Sequence, residues 1–349
     1  MKNPESQIHL VETPALGPDV RCHELHPGRP PLFIEPANDK LRSADVFQRW
    51  AHAHKAAIEA LILAHGGIVL RGFPTRETAD FAALTDLFPS FEGGYAAGFA
   101  PRAKISGKVM EATRLAAQNR LPLHSEMAYL REYPARVAFF CKTKAPAGGE
   151  TTIGDVRELV ASMPQQLVEQ IEALGSMTTR NYGPRQEDLD AHVEFMDMRG
   201  WNQAFYTNDA KEVERLCAER GLRPHWNEDG SLTVFTELQP FVVHPQTGKK
   251  LYRSLLHVHS PSYGPAPGAD VALYKSVRER QKYPSGTFLG NGEPLTPTDV
   301  KIMTELIDRV TYAWPWENGD IMILDNLQVW HGRNPYEGEP RDVQVALLA

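Results

Sequence analysis

Two short stretches carry side chains whose types and spacing could do chemistry: "HSEMAYL" at 124–130 and "DNLQVWHGRNPYEGEPR" at 325–341. In the first, His124 and Glu126 stand two residues apart, the spacing at which strand side chains point to one side. An imidazole and a carboxylate converging there suit a divalent first-row metal. His331 is the best third ligand, because it ends "IMILDNLQVWH", a strand–turn–strand pattern that delivers the ring from a rigid element. Two histidines and one carboxylate on one face leave three coordination positions open, as in non-haem iron(II) sites. Catalytic zinc can use the same donors, with one position open. An H-x-E pair alone arises often by chance among 13 histidines. His244, His257 and His259 are rival ligands, but "HVH" lacks a carboxylate and reads as structural.

Further residues add to this reading. "APAGGETTIGD" places a Gly148–Gly149 turn before a new strand that starts with Thr151, whose hydroxyl can hydrogen-bond an acidic cosubstrate. Arg341 follows His331 across the turn "NPYEGEP", where a guanidinium can grip a carboxylate with two parallel hydrogen bonds. Asp325 and Asn326 either form the turn or hold the metal ligands by hydrogen bonds. The glycine-rich stretch "EGGYAAGFAPR" reads as a loop able to close over the site, with Arg102 at its end as a clamp for a substrate carboxylate. Tyr129, Phe139 and Trp330 lie near the motifs and read as core.

The elements that must position these residues are strand-rich. Apolar runs recur at "IVLRGFP", "ARVAFFCKT", "LTVFTEL", "PFVVHP", "KLYRSLLHV", "GDIMILDN", "QVWHG" and "DVQVALL", many separated by turn formers. The segment 43–67 reads as one amphipathic helix capped by Ser43 or Asp45 and ended by Gly66–Gly67. A second helix follows, with Thr75 as its cap. Further helical insertions are expected at roughly 155–175, 209–221 and 297–313, with Pro164 breaking or kinking the first. The strands straddle the helices rather than alternating with them. That favours an all-β core with helical decoration over a doubly wound parallel sheet.

Bulk properties limit the function classes. The chain has 349 residues, 42% hydrophobic and 23% charged, with a net charge of −7. It can bury a sizeable core in one large β-rich domain, expected here to span 1–349. The negative balance argues against non-specific nucleic-acid binding and gives no support for an acidic membrane surface. No secretory h-region and no run of about 18–20 apolar residues is present. Cys22, Cys141 and Cys217 have neither disulfide-framework nor C-x-x-C spacing, which implies a reduced cytoplasm. Strand–GxGxxG–helix and GxxxxGK[ST] patterns are absent, so phosphate-loop chemistry is excluded.

The combination "LPLHSEMAY", "YPARVAFFCKTKAPAGGETTIGDVRELV", "FLGNGEPL" and "WENGDIMILDNLQVWHGRNPYEGEPR", with "GIVLRGFP" earlier, resembles the taurine dioxygenase-like superfamily of Fe(II)/2-oxoglutarate-dependent oxygenases. It looks closest to the branch with clavaminate synthase-like proteins and syringomycin-type aspartyl hydroxylases. The resemblance implies a mainly β fold with α decoration around a double-stranded β-helix, or jelly-roll, core. It implies Fe(II) on His124, Glu126 and His331, with Thr151 and Arg341 holding the distal carboxylate of the cosubstrate 2-oxoglutarate. Arg333 is the fallback anchor. Relatives with Gly or Ala at the carboxylate position can halogenate; Glu126 here favours hydroxylation. The implied reaction couples oxidative decarboxylation of 2-oxoglutarate with O2 to C–H hydroxylation of an amino-acid-like small molecule, free or tethered to a carrier protein, in specialised metabolism. Desaturation or cyclisation is the alternative outcome. A zinc hydrolase and a non-catalytic jelly-roll binding protein are the competing classes.

Overall fold

Strand alternation decides the architecture. In the computed structural model, residues 8–92, 104–112, 115–189, 199–259 and 285–349 are described. Arg102 and the glycine-rich stretch leading to it lie outside them. A nine-stranded sheet runs in the order His9–Val11, Val20–Glu24, Leu32–Pro36, Gly67–Leu70, Ile321–Asp325, Arg136–Thr143, Asp342–Leu348, Val109–Glu111 and Lys104–Ser106. Its neighbours are antiparallel except Leu32–Pro36 beside Gly67–Leu70. A smaller sheet has the order Thr311–Tyr312, Thr151–Asp155, Val329–Arg333, Leu121–His124.

Period-two alternation sends each strand's odd and even residues to different cores. Val137, Phe139, Cys141, Met322, Leu324, Val343, Val345 and Leu347 of the large sheet share one core with Ile153 and Val329 of the small sheet. Their strand neighbours Ala138, Phe140, Ile321, Ile323, Ala346 and Leu348 face the other way, into a core with Phe47, Trp50, Ile58, Ile62, Phe81 and Leu84 of the N-terminal helices. On the outer side of the small sheet, Leu123 and Trp330 pack with Val156, Leu159, Leu167, Ile171, Met303 and Val310 from three further helices. The result is two sheets face to face with helices outside. A third sheet, including Ser176–Tyr182 and Leu232–Leu238, extends the large core through Tyr182, Leu232 and Val234.

The insertions contain the helices Val156–Ser162, Gln165–Leu174, Ala210–Glu219 and Pro297–Val310. Pro164 caps the second of these and separates it from the first, because it lacks the N–H that an unbroken helix would need. Three local expectations are corrected. The segment 43–67 holds two helices, Ala44–Ala53 and Lys55–His65, because His54 leaves helical geometry and its ring Nδ1 lies 2.7 Å from the Trp50 carbonyl. The next helix, Thr78–Thr85, is capped by Glu77 rather than Thr75, because Asp80 reaches back to accept the N–H groups of Arg76 and Glu77, both at 2.9 Å. "KLYRSLLHV" is strand only over Lys250–Tyr252, then turns into the short helix Leu256–His259.

Candidate metal centre

The small sheet brings the two distant motifs together. Antiparallel pairing puts His331 directly opposite His124, and Ile153 opposite His331 on its other side. Paired residues project to the same face, so both imidazoles point into the space between the sheets. Their ring centroids are 4.5 Å apart. Glu126 joins them: its Oε2 lies 3.5 Å from Nε2 of His331. Donor atoms of all three residues lie within 4.8 Å of one another, and this is the group of metal-ligating type found among the described residues.

The donor set fits a first-row divalent ion. Nδ1 of His124 lies 2.9 Å from the carbonyl of Pro122. A carbonyl only accepts, so Nδ1 carries the proton and Nε2 keeps its lone pair for a metal. His331 and Glu126 are both about 95% buried, and His331 Nδ1 has no hydrogen-bond partner among the described residues. At 3.5 Å the Glu126–His331 pair exceeds normal N–H···O length, a spacing suited to two donors facing one cation. Phe139 packs its ring edge against His331 at 5.0 Å and helps wall the ring from water.

Glu126 does not arrive there as a strand residue. The strand ends at His124, and residues 126–129 form a turn. Met127 takes the left-handed conformation, φ +58°, which is uncommon outside glycine and costs of order 1–3 kcal/mol. Asn326 replaces the missing ladder. Its Oδ1 accepts the N–H of Glu126 at 2.8 Å, and its Nδ2 donates to the Glu126 carbonyl at 3.0 Å and to Pro134 at 2.9 Å. The Ser125 hydroxyl donates to the Asn326 carbonyl at 2.6 Å. Asp325 forms the turn, where Oδ1 accepts the N–H groups of Leu327 and Gln328, and its Oδ2 lies 2.9 Å from Nε2 of His244 rather than holding a metal ligand. His244 is thus a supporting residue, as is His257, whose Nε2 lies 3.0 Å from the Leu123 carbonyl and whose pKa burial pushes down to about 4.

Thr151 pairs with Arg333, two residues beyond the Ile153–His331 pair, so it projects to the face that bears His331, displaced about 7 Å along the strand. Its side chain is buried. The two arginines differ in what they touch. Arg333 donates to the carbonyls of Leu115, Ala116 and Asn119 at 2.8–2.9 Å, so its guanidinium is engaged in holding that loop. Arg341 donates Nε and Nη2 to the single carbonyl of Gly149, at 3.2 and 3.0 Å, and lies over the Tyr336 ring. Burial lowers the pKa of both. Among the described residues no carboxylate forms an ion pair with Arg341. Tyr129 and Trp330 are core: Trp330 stacks on His257 at 4.6 Å behind the sheet, and Tyr129 lies under the Arg180 guanidinium. Arg253, which carried no sequence signal, donates Nη2 to the carbonyls of Met127 and Leu130 at 2.8 and 2.6 Å.

Gly332 lets the two histidine strands approach closely. A Cβ there would lie 2.5 Å from the Leu121 carbonyl oxygen and 2.7 Å from Thr152 Oγ1. Gly332→Ala is expected to push the Leu121–His124 strand away and to destabilise the fold by about 1–3 kcal/mol. Thermal denaturation of the metal-free protein checks this; an unchanged midpoint would show that the strands have room.

Residues 34–347 match the taurine catabolism dioxygenase TauD, TfdA family. A clavaminate synthase-like protein of Arabidopsis thaliana is 27% identical over 351 residues, covering 98% of this chain and 99% of its own. The dapdiamide synthesis protein DdaC of Enterobacter agglomerans is 26% identical over 291 residues, 83% of this chain and 84% of its own. Among solved structures, AAD-2 in complex with Mn(II) and N-oxalylglycine superposes with a TM-score of 0.52 at 13% identity, over 95% of this chain and 97% of that one. PvcB of Pseudomonas aeruginosa gives 0.51 at 16% identity, over 95% and 92%. Both share the jelly-roll fold seen here.

Proposed function

The chain belongs to the TauD/TfdA family of iron(II)- and 2-oxoglutarate-dependent oxygenases, and from that premise we propose that His124, Glu126 and His331 hold the iron and that the enzyme oxidises a C–H bond of an amino-acid-like small molecule. The observation that carries this reading is the convergence of two imidazoles and one carboxylate within 4.8 Å on the inner face of the small sheet. When bound, iron(II) with 2-oxoglutarate and O2 supplies the oxidation, releasing succinate and carbon dioxide.

The protein's own groups bind, orient and exclude water. The Pro122 carbonyl keeps His124 in the tautomer whose Nε2 is free to ligate. Thr151 would donate its hydroxyl to the distal carboxylate of 2-oxoglutarate, and Arg341 would offer it a charge-assisted pair. Gly149, two residues before Thr151, already touches the Arg341 guanidinium, which supports their acting at one end of the site. Arg333, committed to three carbonyls, is the poorer anchor. Phe139 and Ile153 line the apolar floor beside His331.

The substrate class rests on less. DdaC is named for dapdiamide synthesis, which favours small-molecule biosynthetic chemistry, with the substrate free or tethered to a carrier protein. Arg102, outside the described residues, stays the proposed clamp for a substrate carboxylate. Desaturation or cyclisation is the alternative outcome and differs only in the product. We also take residues 1–349 as one catalytic domain, which the match over 34–347 supports. A cytoplasmic setting is part of the proposal: the three cysteines are free and buried, and among the described residues no helix is long and apolar enough to cross a membrane.

Anaerobic addition of iron(II) and 2-oxoglutarate is expected to give a visible metal-to-ligand charge-transfer band. Succinate release is then screened over amino acids and carrier-bound aminoacyl thioesters. A hydrolase or a binding protein would give neither band nor succinate, and that outcome removes the proposal.

A further inference from the structure

Glu126 is the one metal-ligating side chain that no strand positions. His124 and His331 are locked by the sheet ladder, while Glu126 sits in a turn whose next residue, Met127, has a backbone conformation that non-glycine residues rarely adopt. Such a conformation persists only where its surroundings enforce it. Two buried side chains from elsewhere in the chain do so. Asn326, wholly buried, grips both the N–H and the carbonyl of Glu126 and anchors itself to Pro134 and, through its own N–H, to Ala135. Arg253, 3% exposed, bridges the carbonyls of Met127 and of Leu130, whose own N–H bonds back to Met127 and closes the turn. Its guanidinium lies 3.8 Å over the Tyr133 ring.

A buried cation needs compensation. Among the described residues no carboxylate pairs with Arg253; the compensation comes from carbonyl oxygens and a π face. Burial lowers its pKa to about 10, so it stays protonated near neutrality and both donated hydrogen bonds persist. Both bonds leave the single nitrogen Nη2, so a lysine ammonium has donors enough for the two carbonyls but lacks the planar group that lies over the Tyr133 ring.

We infer that Asn326 and Arg253 form a two-sided clamp that aims the Glu126 carboxylate at the metal, Asn326 fixing the ligand's own peptide and Arg253 the turn behind it. They are positioning residues, and the inference rests on the reading of Glu126 as an iron ligand. The clamp joins three separate parts of the chain, so iron affinity depends on residues that touch no metal.

The test uses cobalt(II) alone, titrated anaerobically into the metal-free 349-residue chain and followed by its d–d absorption. Asn326→Ala and Arg253→Met are each expected to weaken cobalt binding by about 10–100-fold, the range for partners that orient a metal ligand. Arg253→Lys should recover part of the loss. The same substitutions are then made in a Glu126→Ala chain. If they act through Glu126, their effect there vanishes to within about twofold, the limit of additivity for independent sites. An equal loss in both backgrounds would show that they merely support the fold, and no loss in either would show that the carboxylate aims itself; both outcomes overturn the clamp. Should Asn326→Ala or Arg253→Met fail to fold, Asn326→Ser and Arg253→Lys carry the same comparison. A wild-type chain that takes up no cobalt would instead sink the iron assignment, and the clamp with it.

Discussion

Glu126→Ala is expected to abolish 2-oxoglutarate-dependent oxidation and to lower metal affinity by more than the roughly 100-fold ceiling seen when an orienting partner is lost. The substitution removes the only carboxylate of the group and leaves two imidazoles, one part-buried and one buried. With no anion, a dication in that space loses its main electrostatic compensation. Glu126→Asp is the graded control. It draws the carboxylate back by about one C–C bond, roughly 1.5 Å, and the strained turn leaves little freedom to follow. Partial activity is therefore expected. Succinate formation and metal content of both variants provide the check, and full hydroxylase activity in the alanine variant would take Glu126 out of the site.

The second large effect falls on Arg341. Replacing it with alanine should weaken 2-oxoglutarate binding by about 10–150-fold, since hydrogen bonds to charged groups are worth about 1.5–3 kcal/mol. Arg341→Lys should recover the charge but not the paired geometry, and so sit between the two. Arg333→Ala is the contrasting variant. Its guanidinium holds the carbonyls of Leu115, Ala116 and Asn119, so its loss should lower thermal stability more than cosubstrate affinity. Anaerobic titration of the charge-transfer band measures the affinity directly. A change of a few tenths of a kcal/mol for Arg341→Ala would return that residue to a purely structural place beside Gly149, and a larger loss at Arg333 would exchange the two roles.

Much of this architecture is legible in the residues. The apolar runs in "ARVAFFCKT", "GDIMILDN" and "DVQVALL" anticipate strands, and each of these strands feeds two cores. Pro164 marks a helix break, and Gly148–Gly149 a turn with two positive φ values that admits the Thr151 strand. Tyr129 and Trp330 read as core and are core, while Phe139, also buried in the core, meets the His331 ring. Within "FLGNGEPL", Asn291 acts as a turn former, its Oδ1 accepting the N–H of Glu293 at 3.1 Å. "HVH" could be ranked below His331 by its lack of a carboxylate, but the supporting bonds of His244 and His257 could not be foreseen.

The sequence by itself determined the local ingredients: strand and helix periods, turn residues, and three side chains of the right chemistry in the right order. These follow from short-range sterics and from the alternation of apolar residues, which one stretch of chain contains in full. Only the tertiary structure decided that His124 pairs with His331, that Glu126 reaches them from a turn rather than along a strand, and that Arg333 is engaged while Arg341 has a single carbonyl partner. Those outcomes depend on hydrogen bonds between residues 200 or more positions apart, such as Asn326 to Glu126 and Arg333 to Leu115. A buried peptide or guanidinium takes whichever partner packing places beside it, and sequence spacing holds no record of that choice.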